Sequence, residues 1–374
     1  MIKTRITELL GVKYPAIQGG MAWVAESILA AAVSNAGGVG LIAGGAAPVD
    51  VVREEIRKVK KLTDKPFGVN IMLMSPNAED LAQLVIEEQV PIVTTGAGYP
   101  GKFMEAWKAA GIKVIPVVPS VALAKRMERA GADALVAEGT EAGGHIGELT
   151  TMSLVPQIVD AVDIPVIAAG GIADGRGLAA ALMLGAEGVQ MGTVFLASDE
   201  CQIHENYKNL VLNAKDTDSA VTGRISGCAA CRQIRNKFTK RIMEKEREGL
   251  TQEEFEEACT GSLRKAVKDG RVISNIVETE NGTFDLYEKV GDETDVLETI
   301  ITNFETDLAY KTLMKIKEEY RVLIHMRYVE CLSIKEIVEI TGMKEKTITL
   351  KLSRALKKYR AMYFEAESKR EGGK

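Results

Sequence analysis

Eight short apolar runs in the first 200 residues, separated by helical segments, limit the fold more than any other feature of this chain. They read AIQGGM (16–21), VGLIAG (39–44), FGVNIML (67–73), PIVTTGAG (91–98), KVIPVVPS (113–120), ALVAEG (134–139), PVIAAGG (165–171) and GVQMGTVFLA (188–197). The runs are rich in Val and Ile, bounded by Gly or Pro, and near-continuously apolar, as strands covered on both faces should be. Amphipathic segments such as VDVVREEIRKVKKL, AEDLAQLVIEEQ and SVALAKRMERAG lie between them. Such alternation implies parallel pairing through crossover helices. Eight units favour an α/β chain closed into a (β/α)8 barrel, with an open doubly wound sheet as the alternative.

Composition divides the chain. All ten prolines lie at or before Pro165, and thirty of the 35 glycines lie at or before Gly270. Residues 1–270 carry net charge −4, residues 271–310 carry −8 and residues 311–374 carry +7. The expected organisation is a barrel over 1–200, a helical extension over 201–270, an acidic linker or helical segment over 271–306 and a basic helical end over 307–374. With 46% hydrophobic and 26% charged residues, the chain is neither disordered, collagen-like nor membrane-embedded. The net charge of −5 gives the chain as a whole no nucleic-acid footprint. Five cysteines do not make a disulfide framework, and the N-terminus has no apolar signal core. The expected setting is the cytoplasm, with no membrane partner.

In a barrel of this kind, function sits on the loops at the C-terminal strand ends. Gly170, Gly171 and Gly175 precede a helix starting near Arg176, and Gly192-Thr193 follows on the next strand. Glycines let backbone N–H groups approach an anion, and a helix N-terminus adds positive potential. Two adjacent loops of this type point to a phosphorylated cofactor, with FMN the best fit. Gly38-Val39-Gly40-Leu41-Ile42-Ala43 imitates a dinucleotide fingerprint, but a helix precedes it and a strand follows, so it reads as a helix stop and strand entry.

His145, among Gly143, Gly144 and Gly147, is placed to donate a proton or hydrogen bond to a carbonyl oxygen. His204 reads as structural or surface, and His325 as partly buried in a tail helix. Cys228-Ala-Ala-Cys231 has ligand spacing but no companion pair, so it reads as two small residues on a helix and no metal is expected. Glu138, at a strand end, reads as a cofactor or cation contact.

The runs TRITELLGVKYPAIQGGMAWVA, DKPFGVNIML, VTTGAG, IPVVPSVALAKRMERAGADALVAEGTEAGGHIG, IPVIAAGGIADGRG and GAEGVQMGT carry a resemblance over residues 1 to about 270. They resemble the FMN-dependent enoyl-[acyl-carrier-protein] reductase II branch of the wider nitronate monooxygenase (2-nitropropane dioxygenase-like) family. The resemblance implies a TIM barrel with FMN at the strand C-termini. It puts cofactor contacts on Gly20, Met21, Asn70, Glu138, Gly143, Gly144, Gly170, Gly171, Gln190, Met191, Gly192 and Thr193, with His145 beside the flavin's reactive face. It further implies NADH or NADPH as electron donor and a trans-2-enoyl thioester on acyl carrier protein as substrate; a homodimer is expected. Nitronate oxidation is the sibling activity. The family continues past TGSLRKAVKDG with a Gly-rich closing segment, which RVISNIVETENGTFDLYEKVGDETDVLETIITNFE does not match.

From about Asp307 to Tyr363 the sequence reads helix, turn, helix, turn, helix. Ser333 and Glu336 form a capping-box pattern, Gly342 ends that helix, and another starts near Glu345. The last helix is basic, and the segment resembles region 4 of bacterial sigma factors, a helix-turn-helix. The resemblance implies DNA contacts from Lys344, Lys346, Thr347 and Lys351, with DNA or RNA polymerase as partner. Three readings follow: a genuine fusion, a chimera of unrelated genes, or a tail used for dimerisation. The loss of the closing segment favours the chimera.

Overall fold

The structure is a computed structural model that describes residues 2–45, 47–269, 277–279, 282–284, 315–324, 326 and 334–371. It divides into two compact units, Met1–Phe284 and Asp285–Lys374.

The first unit opens with α1 (Arg5–Leu10), followed by β1 (Ala16–Gln18), α2 (Ser27–Ala36), β2 (Gly40–Ala43), α3 (Val49–Leu62), β3 (Phe67–Met72), α4 (Ala78–Glu87) and β4 (Ile92–Gly96). Then come α5 (Gly101–Ala109), β5 (Lys113–Val118), α6 (Val121–Arg129), β6 (Leu135–Glu138), β7 (Gly144–His145), α7 (Thr151–Val159), β8 (Val166–Ala169), α8 (Gly175–Met183) and β9 (Gly188–Met191). A 3-10 turn (Thr193–Ala197) leads to α9 (Glu205–Leu212), β10 (Ser219–Thr222), β11 (Cys231–Ile234), α10 (Lys237–Glu248), α11 (Gln252–Cys259) and α12 (Ser262–Asp269). The short strands β12 (Val277–Thr279) and β13 (Gly282–Phe284) pair with each other.

Eight parallel strands run in the order β1-β9-β8-β6-β5-β4-β3-β2. The ring closes where Gln18 N–H donates to Val39 O (2.9 Å) and Val39 N–H donates to Ala16 O (3.0 Å). This is the closed barrel expected from eight βα units. Alternate strand residues fill it: Ile17, Leu41, Ile92, Ile115, Val136 and Ile167 form one buried cluster with Ile6 and Leu10 of α1. That helix plugs the interior, started by a Thr4–Thr7 capping box and stopped by Gly11 in the left-handed region.

The intervening strand residues face outward onto the helices. Ile42, Val69, Ile71, Val93 and Val114 pack with Val52, Ile56 and Val59 of α3, Leu81 and Val85 of α4, and Trp107 of α5. Spacing explains α3: Val52, Ile56 and Val59 recur at i, i+4 and i+7, and each fully buried side chain of this size contributes about 1.5–3 kcal/mol. The false dinucleotide motif is indeed a helix stop. Gly37 caps α2 in the left-handed region, and a Cβ on Gly40 would sit 1.9 Å from Ala30 O.

Two sequence expectations need correction. The last apolar run does not stay extended to residue 197; the strand ends at Met191 and Gly192 (φ −124°, ψ −74°) turns it into the 3-10 segment. Cys228 and Cys231 are not on a helix. Cys231 opens β11, and Cys228 lies in the loop before it, because β10 and β11 pair as an antiparallel hairpin with register Thr222 to Cys231.

In the second unit, α13 (Glu318–Ile324), α14 (Ile334–Thr341) and α15 (Glu345–Glu371) enclose a small apolar core of Ile316, Leu323, Ile324, Ile337, Ile348, Leu352 and Ala355. Gly342 (φ +68°) ends α14, and its N–H donates to Val338 O at 2.8 Å. A short turn leads into α15 at Glu345, the helix-turn-helix outline anticipated from the sequence. Ser333 and His325 lie outside the described residues.

Candidate active site

Strand register decides what faces the barrel interior, because successive side chains alternate sides. Val69 and Ile71 pack outward, so Asn70 between them points in; Ile92 and Val136 are interior, so Thr94 and Glu138 follow on the same side; Val189 is outward, so Gln190 points in. A polar layer of Asn70, Thr94, Glu138 and Gln190 therefore sits above the apolar layers, at the C-terminal strand ends. Thr94 Oγ1 donates to Asn70 Oδ1 at 2.8 Å. Gln190 is buried, and its Oε1 has no hydrogen-bond partner. Burial pushes the half-buried Glu138 carboxyl up to about 7.

The β1 loop lies against this layer. A Cβ on Gly20 would stand 2.3 Å from Asn70 Cβ, and one on Gly19 would stand 3.3 Å from Gln190 Cγ. Only glycine permits the approach at position 20; at position 19 a Cβ would need Gln190 to give by a few tenths of an ångström. Met21 reaches Gly192: a Cβ there would lie 3.4 Å from Met21 Sδ. A Cβ on Gly143 would lie 3.9 Å from Thr193 Oγ1, so the β6 and β9 loops also meet. Gly170 (φ +101°) and Gly171 (φ +72°) make the turn after β8. Thr151, which the sequence reading passed over, ties this turn to the β6 loop: its Oγ1 lies 2.9 Å from Gly170 O and 3.0 Å from Glu141 Oε2. No sequence signal marks that role. Met191 differs from its neighbours, since its side chain packs among the outer helices and only its backbone is available at the rim.

The α8 N-terminus also departs from expectation. Asp174 caps it, accepting from Arg176 N–H (2.9 Å) and Gly177 N–H (3.3 Å). Hydrogen bonds from the Arg176 side chain, then from these backbone groups, bring the Asp174 carboxyl down to about 2. Two of the helix's free donors are thus engaged by an anion of the chain itself. The α8 N-terminus therefore offers an external anion fewer free donors than its glycines suggest.

His145 is exposed on β7, a strand of two residues that extends the β10–β11 hairpin into a three-stranded antiparallel sheet. It pairs with Cys231, and Gly144 pairs with Arg232. Arg232 Nε donates to Thr140 O (2.9 Å) and Nη1 donates to Ser219 Oγ (2.7 Å), while Ile146 N–H donates to Ala230 O (2.9 Å). The histidine loop is therefore held from the far side by the hairpin. His204 is structural: its Nδ1 accepts from Asn206 N–H at 3.1 Å and caps α9. Among the described residues, no group of three or more His, Cys, Asp or Glu is placed to hold a metal ion.

In the second unit, Lys344, Lys346 and Thr347 are exposed and Lys351 is half-buried, at and after the turn before α15.

Comparison with known proteins decides the family. The profile described as nitronate monooxygenase matches residues 3–87 and 81–289. The chain belongs to the nitronate monooxygenase family. The match runs past Gly270, where the sequence reading had the resemblance stop. A probable nitronate monooxygenase from Staphylococcus saprophyticus is 41% identical over 311 residues, covering 71% of this chain and 87% of that protein. The structure of FabK from Thermotoga maritima is 52% identical, covering 73% of this chain and 86% of that one, with a TM-score of 0.71. A nitroalkane oxidase from Streptomyces ansochromogenes is 30% identical, covering 64% and 81%, with a TM-score of 0.60. Residues 307–358 match the profile of sigma-70 region 4.

The nitronate monooxygenase and FabK families are flavin-dependent oxidoreductases, and the chain is an oxidoreductase. The rim residues fit a flavin mononucleotide on three structural counts. Gln190 carries an orphaned buried acceptor, Gly20 lets the β1 loop lie directly on Asn70 of the polar layer, and the positive-φ glycines after β8 turn against the β6 loop, whose Gly143 lies near Thr193 Oγ1. No helix among the described residues is long and apolar enough to cross a membrane.

Proposed function

We propose that the barrel binds FMN and, with NADH or NADPH as donor, reduces the 2,3-double bond of trans-2-enoyl thioesters on acyl carrier protein. The 52% identity to FabK across 73% of the chain carries this reading. Bound FMN would supply the hydride that an amino-acid side chain cannot. Gly171, Gly192 and Thr193 hold its phosphate through N–H and hydroxyl donors. Asn70 and Gln190 meet the ring's polar edge, with Gln190 Oε1 free to accept. Glu138 is a neutral donor below about pH 7 and an anion above it. His145 stabilises the developing enolate oxygen or delivers a proton to the α-carbon.

Anaerobic NAD(P)H should bleach the flavin bands, and a crotonyl thioester should restore them. Bleaching of the oxidised flavin by an alkyl nitronate without NAD(P)H, with colour returning only when oxygen is admitted, would favour the sibling reading, which the nitronate monooxygenases among the relatives support. His145→Ala should lower turnover about 10²–10⁴-fold with flavin content unchanged. Unchanged turnover would remove the histidine from the mechanism.

The sigma-70 region 4 match supports a second reading for the tail: a DNA or polymerase contact through Lys344, Lys346, Thr347 and Lys351, in a fused or chimeric chain. Retention of a promoter fragment should fall steeply with salt, and Lys346→Ala should reduce that slope by about 1. Salt-independent or absent retention would refute it.

A further inference from the structure

The hairpin that holds the His145 loop belongs to a segment whose charge opposes that of the rest of the first 270 residues. Residues 219–249, spanning β10, β11 and α10, contain eight basic and three acidic residues, net +5, which leaves −9 on the remainder of residues 1–270. One of the three acids does not reach the surface. Glu246 is 3% exposed, and its Oε1 accepts from Gly223 N–H (2.9 Å), Ser226 N–H (3.3 Å) and Ser226 Oγ (2.9 Å). It organises the hairpin loop from within.

The cations stand outside that loop. Arg224, Arg235, Lys240 and Arg247 are all exposed. Lys240 and Arg247 are seven apart on α10, whose opposite face buries Phe238, Thr239 and Ile242. Arg224 and Arg247 share a cavity of about 50 Å³ with Val221, Ile225 and Met243, and Ile225 is 65% exposed. Arg224 also reaches Glu148 at 3.2 Å, just beyond the histidine loop. An apolar side chain flanked by guanidinium groups is the composition of a protein-docking patch for an acidic partner.

We propose that this lobe is the docking surface for an acidic carrier protein that delivers the acyl thioester to His145. The inference rests on the enoyl thioester reading and adds the residues that select its carrier. Position favours a carrier over nucleic acid: the lobe is continuous with the histidine loop, through β11 paired to β7 and through the Arg224–Glu148 ion pair. A thioester on a flexible arm needs its carrier on a surface that borders the reacting side chain. The charge supplies encounter rate and orientation, and Ile225 supplies the desolvated contact.

The test uses the full-length holoenzyme and two substrates with the same acyl group, crotonyl-acyl carrier protein and crotonyl-N-acetylcysteamine. In the Lys240→Glu/Arg247→Glu variant, kcat/KM for the carrier-borne substrate should fall at least about tenfold at low salt, chiefly through KM, and the gap should close as salt rises. The uncharged thioester should be turned over as in the parent, with flavin content unchanged. The Lys240→Gln/Arg247→Gln variant should give an intermediate loss. Equal losses on both substrates, or no loss on the carrier-borne one, would overturn the proposal. So would unchanged carrier kinetics with reduced retention on double-stranded DNA. If the parent reduces neither thioester, the enoyl reading itself fails, an outcome distinct from failure of the docking surface alone.

Discussion

Both units have apolar cores, but among the described residues only the barrel also encloses a layer of polar side chains. At one end of its interior the barrel encloses Asn70, Thr94 and Gln190, the last with an acceptor unsatisfied. The tail encloses Ile316, Leu323, Ile324, Ile337, Ile348, Leu352 and Ala355, and sets Lys344, Lys346 and Thr347 outside. Buried polarity without a partner costs stability, so a fold retains it where a ligand will complete it. The described core of the tail makes no such statement, and a function for the tail is sought in its exposed lysines. The two units therefore call for different experiments, one on occupancy and one on salt.

The largest effect should come from closing the barrel's rim. In Gly20→Val the new side chain meets Asn70 within 2.3 Å, which neither backbone can relieve without moving the polar layer. Flavin stoichiometry should fall below about a tenth of the parent value, with far-UV circular dichroism retained. Full stoichiometry would mean that the β1 loop does not line the cofactor site. The matching change in the tail is Ile348→Ala, which empties part of a fully buried position. It should lower the tail's unfolding free energy by about 2–5 kcal/mol and leave flavin content unchanged. Loss of flavin in that variant would break the distinction drawn between the two units.

Much of this contrast is legible in the sequence where one residue's neighbours are its own strand or helix. The α3 segment, Val49–Leu62, coincides with the amphipathic run read from periodicity, and Gly342 stops α14 as its position suggests. Illegible parts depend on distant segments. SAVT and CRQI are too short and too polar to declare a hairpin, and β7 is a strand only because Cys231 and Arg232 lie opposite it. The Asp174 cap was available in principle, since Asp before a helical Gly-Arg-Gly is a start signal. The glycines around it mask that signal, and its presence leaves the α8 N-terminus fewer free donors for an external anion. Thr151 gives no local cue at all, because its partners come from the β6 loop and the β8 turn.

The smallest effect tests whether the polar layer is strained in its empty state. Burial raises the Glu138 carboxyl from 4.5 to about 7. Between these values the folded chain holds a proton that the unfolded chain has released, so the folded state binds more protons and stability falls as pH rises. The penalty is absent below about 4.5 and complete above about 7. Glu138→Gln removes the titration but keeps the shape. Its flavin-free form should match the parent near pH 4.5 and exceed it by up to about 3 kcal/mol at pH 8, read by urea denaturation. A difference independent of pH would show that the carboxylate is solvated after all. Adding FMN sharpens the reading, because a ligand that donates to the ionised carboxylate would shrink the pH-dependent gap, whereas one that receives its proton would widen it.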